Sequence, residues 1–417
     1  MERKNNQLVE HLFRSEYGKI LAILTRFFGP THIELAEDVM QETLISALNN
    51  WGSEGVPTNP TGWLVQVAKR KALNELKRNE MIHKHHSNFP QHTEEEIGSI
   101  FLENEIEDNQ LRMIFTCCHS SLDIKSQIAL TLKTLCGFGV SEVSKALLTT
   151  ESTINKRLFR AKEKIRNSQT PFDIPQGSDL EKKLEAVSLT LYLLFNEGYN
   201  ASSGETVIQK ELCLEAVRLT KLLAEHFKSN HKLSALLALM CFHTARFDAR
   251  IDHYGAIILF EDQDRTLWNK DLINIGMTYL KASINDSIIS SYHIESRIAA
   301  EHCLSPSFQE TNWSVIHKQY ILLHRLKPNP IIRFNLAIIE SKFRGIEASL
   351  KLLKELETNQ QLASYHLLPA TQGMFHLELK NFEVALNYLQ KSLELNPSRK
   401  EAAVIESKIL ECQNRSQ

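Results

Sequence analysis

The chain has 417 residues, 42% hydrophobic and 24% charged, with a net charge of −2, enough material for two or three domains with separate cores. No run of about 18 uninterrupted apolar residues occurs, which excludes a transmembrane helix, and the polar stretch 1–6 lacks the apolar core of a signal peptide. Seven cysteines, odd in number and scattered, read as the reduced thiols of a cytoplasmic protein.

Eleven prolines and fifteen glycines are few for this length, and with abundant Leu, Glu, Lys and Ala they favour an all-α fold. Residues 8–79 read as three or four helices forming a first domain, broken at residues 29–31 and 52–60. Within it, residues 36–48 form a helix with Val39, Thr43 and Ala47 facing inward and Glu37, Asp38, Gln41 and Ile45 facing outward. An exposed Ile on an acidic face suits a protein partner. Residues 63–78 form a second amphipathic helix. Leu64, Ala68, Ala72 and Leu76 make one stripe, and Trp63, Gln66, Arg70, Asn74 and Lys77 make another. An aromatic ring beside cations and an amide can hold a single nucleic-acid strand, although a lone Trp is more often a core residue.

Residues 80–108 read as a linker. His83, His85, His86 and His92 look like a solvated tract, and residues 92–108 hold seven acidic residues and no Lys or Arg. Residues 69–78, with five basic residues and one acidic, and residues 151–166, with six basic and two acidic, flank that strip. Two basic stripes separated by an acidic one say more about partners than the total charge does.

Residues 109–168 read as a second helical domain ending in a helix-turn-helix. Residues 141–147 are its first helix and 148–150 its turn, and either Thr149 or Thr150 can cap the next helix. In that helix Ile154, Leu158, Ala161 and Ile165 recur at four, three and four, forming a buried stripe. Thr153, Lys156, Arg157, Arg160 and Lys164 lie off it. Asn155 and Arg157 can pair with base edges, whereas the lysines neutralise phosphate. A solvated basic helix would carry the same pattern, so the preceding helix and turn carry the DNA reading. A second junction falls at residues 170–177.

Residues 180–417 read as helix after helix. Gly373, Ala385 and Pro397 fall twelve apart, as in one tetratricopeptide repeat, with a poorer copy over residues 330–355. Three tempting sites have plainer readings. Cys117, Cys118 and His119 lack the spacing of a zinc site, so they read as helix packing. Asp262, Asp264 and Arg265 stand near no nucleophile motif or phosphate loop and read as a salt bridge at a helix junction. Gly198 reads as a helix C-cap. No catalytic residue, metal site or cofactor is expected.

Three segments together resemble the extracytoplasmic-function sigma factors of RNA polymerase. Residues 36–44, AEDVMQETL, are similar to that family's polymerase-clamp helix. Residues 60–64, PTGWL, and 68–78, AKRKALNELKR, are similar to its minus-ten helix. Residues 153–162, TINKRLFRAK, are similar to its minus-35 helix. Segments 111–119 (LRMIFTCCH), 174–175 (IP), 191–199 (LYLLFNEGY) and 262–265 (DQDR) resemble the subgroup with a tetratricopeptide-like C-terminal domain. Arg70 stands where the family often has Asn, Asn74 where it has Asp, and the turn at 148–150 lacks the usual glycine.

The resemblance implies a non-enzymatic protein that brings core RNA polymerase to promoter DNA. Asp38, Gln41 and Glu42 would dock on polymerase. Trp63, Arg70, Lys71, Asn74, Lys77 and Arg78 would read the minus-ten element, and Thr153, Asn155, Lys156, Arg157, Arg160 and Lys164 the minus-35 element. The acidic linker would thread through polymerase. The C-terminal domain would modulate activity, by clamping the two sigma domains intramolecularly or by adding polymerase contacts. A stand-alone helix-turn-helix regulator with a ligand-sensing repeat domain, and a helical scaffold or enzyme, are the competing readings.

Overall fold

Capping residues set the helix boundaries. The computed structural model describes residues 2–83, 90, 92–102, 105–168, 171–199, 210–252, 257–284 and 289–415. Among them lie nineteen α-helices joined by short turns, and the only extended pairing is a single bridge between Ile251 and Ile257. No helix among the described residues is long and apolar enough to cross a membrane. The chain divides into two compact units, residues 1–194 and 195–417.

The first unit holds α1 (Glu2–Phe28), α2 (Ile33–Glu54), α3 (Pro60–His83), α4 (Glu94–Ile100), α5 (Ile106–Cys117), α6 (Ile124–Thr134), α7 (Val140–Ala146), α8 (Glu151–Asn167) and the first part of α9 (Gly177–Tyr199). The spine is α1, whose run Ile20, Leu21, Ala22, Ile23, Leu24 is fully buried. It packs against α2 and α3 on one side and against α5 and α6 on the other. Gly18 permits the second contact, since a Cβ there would sit 2.1 Å from the Leu135 carbonyl oxygen. Gly137, at φ +68°, turns the chain against Tyr17 in a conformation that L side chains rarely adopt.

Part of the stretch read as linker is built into this unit. Thr93 and Glu96 form a reciprocal capping box that starts α4. Ile100 and Phe101 are buried, with the Phe101 ring 5.6 Å from that of Phe27. His92 belongs to no solvated tract: its Nε2 lies 2.9 Å from the Phe27 carbonyl and its ring stacks on Phe27. His85, His86 and the His83 side chain lie outside the described residues. Arg26 donates to Glu105 at 2.7 Å, tying α1 to the start of α5. From α9, Leu184, Val187 and Leu191 are buried and the Thr190 hydroxyl donates to Gln127 at 2.8 Å. The seam between the units therefore falls inside α9, beyond the proline-bearing junction at 170–177. Gly198 sits within the last turn of α9 and is not a cap beyond it.

The second unit continues with α10 (Lys210–His226), α11 (His231–Thr244), α12 (Lys270–Ala282), α13 (Ser291–Leu304), α14 (Trp313–Leu326), α15 (Pro330–Arg344), α16 (Ile346–Leu356), α17 (Leu367–Glu378), α18 (Phe382–Glu394) and α19 (Arg399–Arg415). Ten consecutive residues of α11, Leu233 to Phe242, are buried, so α11 is the helix around which α10, α12 and α13 pack. From α14 onward each helix packs mainly on its neighbours in sequence, and small cores succeed one another along the chain. In α17, Gly373 faces Leu389 of α18, and a Cβ there would lie 2.7 Å from Leu389 Cγ.

Candidate nucleic-acid interface

The stripe of α8 is seated as its spacing requires. Ile154, Leu158, Ala161 and Ile165 are all buried, over α6 and α7. Leu148 takes φ +49° in the turn, the left-handed conformation that a glycine would otherwise supply. Thr150 caps α8, its Oγ1 accepting from the Thr153 N–H at 3.2 Å. Replacing Thr150 by Ala should cost about 1 kcal/mol of stability, read as a lower urea midpoint with unchanged slope.

On the opposite face Asn155, Lys156 and Arg160 are exposed together. Thr153 and Arg157 sit half-buried at its edges. The Thr153 hydroxyl is engaged with Thr150 at 2.8 Å. Arg157 adds to the field that holds the Asp123 carboxyl below its usual range, an effect due first to the Ser126 hydroxyl. Lys164 turns back, its Nζ 3.0 Å from the Ser121 carbonyl. Phe159 shares the outer face at 61% exposure and was not singled out from sequence. Its signal was an apolar residue lying off the buried stripe. An exposed ring there can contact a thymine methyl.

On α3, Leu64, Ala68 and Ala72 are buried and Leu76 is half-buried, while Gln66, Arg70, Asn74, Lys77 and Arg78 are exposed. Trp63 is half-buried, its ring edge-on to that of buried Trp51 at 5.4 Å, so much of it serves packing. Lys71 reaches Glu42 of α2 at 3.2 Å, and Arg78 lies 3.5 Å from Glu75.

On α2, Asp38, Gln41 and Glu42 are exposed beside Ile45 and Leu48, an apolar pair one turn apart. Glu37 is a correction. It points inward, 7% exposed, and pairs with Lys162 of α8 at 2.5 Å. One turn away Arg166 pairs with Glu34 at 2.5 Å. The far half of α8 is thus fastened to the start of α2.

The other sequence candidates have structural partners. Cys117 Sγ lies 3.1 Å from the Thr134 hydroxyl, burial pushes the Cys118 thiol up to about 12, and His119 Nδ1 meets the Ser121 hydroxyl at 2.8 Å. No group of three metal-ligating side chains occurs among the described residues. The expected salt bridge at residues 262–265 does not form. Asp264 caps its own turn through Thr266, and Arg265 donates to the carbonyls of His302 and Ser305.

Comparison with known proteins places these helices. Residues 12–81 match the model for sigma-70 region 2, and residues 112–165 the model for sigma-70 region 4. The chain is an RNA polymerase sigma factor of the sigma-70 family. The sigma factor therefore has core RNA polymerase and promoter DNA as partners and directs promoter-specific initiation of transcription. Its region 2 comprises most of α1 with α2 and α3, and its region 4 runs from α5 into α8. Residues 183–284 match a family of unknown function, DUF6596. The sigma factor is also 31% identical, over 92% of its length and 91% of the relative's, to a protein of Rhizobium meliloti (strain 1021) named only as uncharacterized protein R00370, and belongs to the same family. No solved structure matches it.

Proposed function

We infer that this sigma factor is of the extracytoplasmic-function type and acts in the cytoplasm. In this reading α8 reads the minus-35 element through Asn155, Lys156 and Arg160, with Thr153, Arg157 and Lys164 at its margins. The exposed side of α3, with Arg70, Asn74, Lys77 and Arg78 outermost and Trp63 and Lys71 closer in, reads the minus-ten element. The α2 face of Asp38, Gln41 and Glu42 docks on the polymerase clamp. The observation that carries the reading is the division of α8: a stripe of four buried apolar residues seats it, and the amide and cations opposite are left for DNA. No bond is made or broken by the chain in this scheme, and no cofactor takes part.

The second unit is a tetratricopeptide-like domain that modulates initiation. Its short helical hairpins, with Gly373 against Leu389 allowing close approach, support the repeat reading. Because α9 as far as Leu194 belongs to the first unit, the test compares the full chain with one ending at Tyr199, not at residue 178. Both are added to core polymerase in a promoter-dependent transcription assay. Higher activity of the shortened chain assigns inhibition to the second unit and lower activity assigns assistance. Equal activity of the two overturns the modulating role, and promoter binding as tight without polymerase as with it overturns the sigma-factor scheme itself.

A further inference from the structure

The second unit contains a cavity of about 270 Å³ bounded by one face each of α11, α13 and α14 and by the turn that carries Phe260. Its polar wall is His243, Arg246, Glu295, His302 and Tyr320, and the rest is Phe260 and aliphatic side chains. Arg246 lies 4.1 Å over the Phe260 ring, which fixes the plane of its guanidinium. Its hydrogen-bond acceptor is the Gln263 side-chain oxygen, at 3.2 and 3.4 Å, long for a charged donor.

Arg246 is one of three arginines gathered here. Arg265, stacked on Trp268 at 4.6 Å, donates to the carbonyls of His302 and Ser305 at 2.6 Å each. Arg250 stacks on Tyr199 at 3.8 Å and donates to the Tyr199 carbonyl. Their acceptors are one side-chain amide and three backbone carbonyls, and the one carboxylate in the cavity wall is Glu295. The histidines add no positive charge, because burial first and the arginine charges second hold His243 and His302 down to about 3. Arg265 Nη2 and His302 Nδ1 are buried without a hydrogen-bond partner. Cations gathered this way are normally compensated by an anion. A fork held flat beside an apolar hollow suits a planar carboxylate better than a spherical ion.

We propose that this cavity binds a small carboxylate with an apolar, ring-sized body, its carboxylate on Arg246 and its body against Phe260 and the aliphatic wall. The site does not depend on the promoter assignments, since binding is measured without polymerase or DNA.

The experiment is calorimetric titration of the full chain with benzoate and, separately, with inorganic phosphate, each repeated on Arg246→Met and Ala299→Leu. The first variant removes the fork and keeps an apolar stem; the second fills the cavity from the α13 wall and leaves the arginine. Saturable benzoate binding that both variants lose supports the site. Absence of saturation, retention by either variant, or phosphate binding as tightly as benzoate overturns it. Should Arg246→Met fail to fold by circular dichroism, Arg246→Lys takes its place. It keeps the charge without the fork, and about tenfold weaker binding is expected. Undiminished binding by that variant also overturns the proposal.

Discussion

Replacing Lys156 and Arg160 together by glutamate should abolish promoter-dependent initiation while leaving the protein folded and bound to core polymerase. Both residues are exposed, and the stripe that seats α8 is formed by other side chains, so the substitutions do not disturb its packing. A well-placed Arg on a base edge contributes about 1–3 kcal/mol of discrimination, and a lost phosphate contact lowers the salt slope of binding by about one. Arg160→Ala alone should therefore reduce initiation by about tenfold to a hundredfold. The double reversal, which places two anions against phosphate, should take it to background. Lys164→Glu should do far less, because that ammonium already faces the Ser121 carbonyl. Phe159→Ala should change preference between promoters without altering the salt slope. The readout is in vitro transcription with core polymerase, paired with polymerase pull-down. Full activity of the double variant would remove α8 from the promoter.

The features legible in the sequence were those set by local periodicity. The stripe of α8 needed only the 3.6-residue repeat, and its exposed amide and cations follow from it. The inward Val39, Thr43 and Ala47 of α2 were read the same way and are buried. What escaped depends on partners distant in sequence. Glu37 looked like one more exposed acid because its partner, Lys162, comes from a helix 125 residues away. His92 sits in a polar tract whose composition says nothing of the Phe27 carbonyl that receives it. The capping box of Thr93 and Glu96 was present as a pattern, but the surrounding acidic composition masked it. The proline-bearing stretch at 170–177 marked a break in the chain and not the seam between units, because the apolar face of α9 is shared out by tertiary packing. The cavity of the second unit left no signature at all. Residues lining a hollow at spacings of three and four look the same as residues filling a core.

The pair Glu37–Lys162 has the second large expected effect. Both side chains are about one-tenth exposed, so Lys162→Met leaves a buried carboxylate alone, and one of its oxygens, Oε1, already lacks a partner. Such a loss costs about 3–5 kcal/mol, whereas replacing both partners by apolar side chains is often neutral or stabilising. The double variant Glu37→Leu/Lys162→Met should therefore match or exceed the parent in urea denaturation while the single variant falls well below it. Activity should follow the opposite order for the double variant. In the proposed scheme α3 and α8 read two elements about 25 base pairs apart, as their names imply, or roughly 85 Å of duplex at about 3.4 Å per base pair, whereas a compact unit of 194 residues has a radius of gyration of about 16 Å. In that scheme, engaging both elements would therefore draw region 4 away from region 2 and open the Glu37–Lys162 contact. Two charges regain hydration when they part, which offsets much of the loss of their attraction, while two apolar side chains gain nothing from water. The apolar double variant should hold the closed arrangement and initiate poorly at limiting polymerase, with activity returning as polymerase is raised. A double variant that initiates like the parent at every polymerase concentration would show that this contact does not oppose promoter engagement.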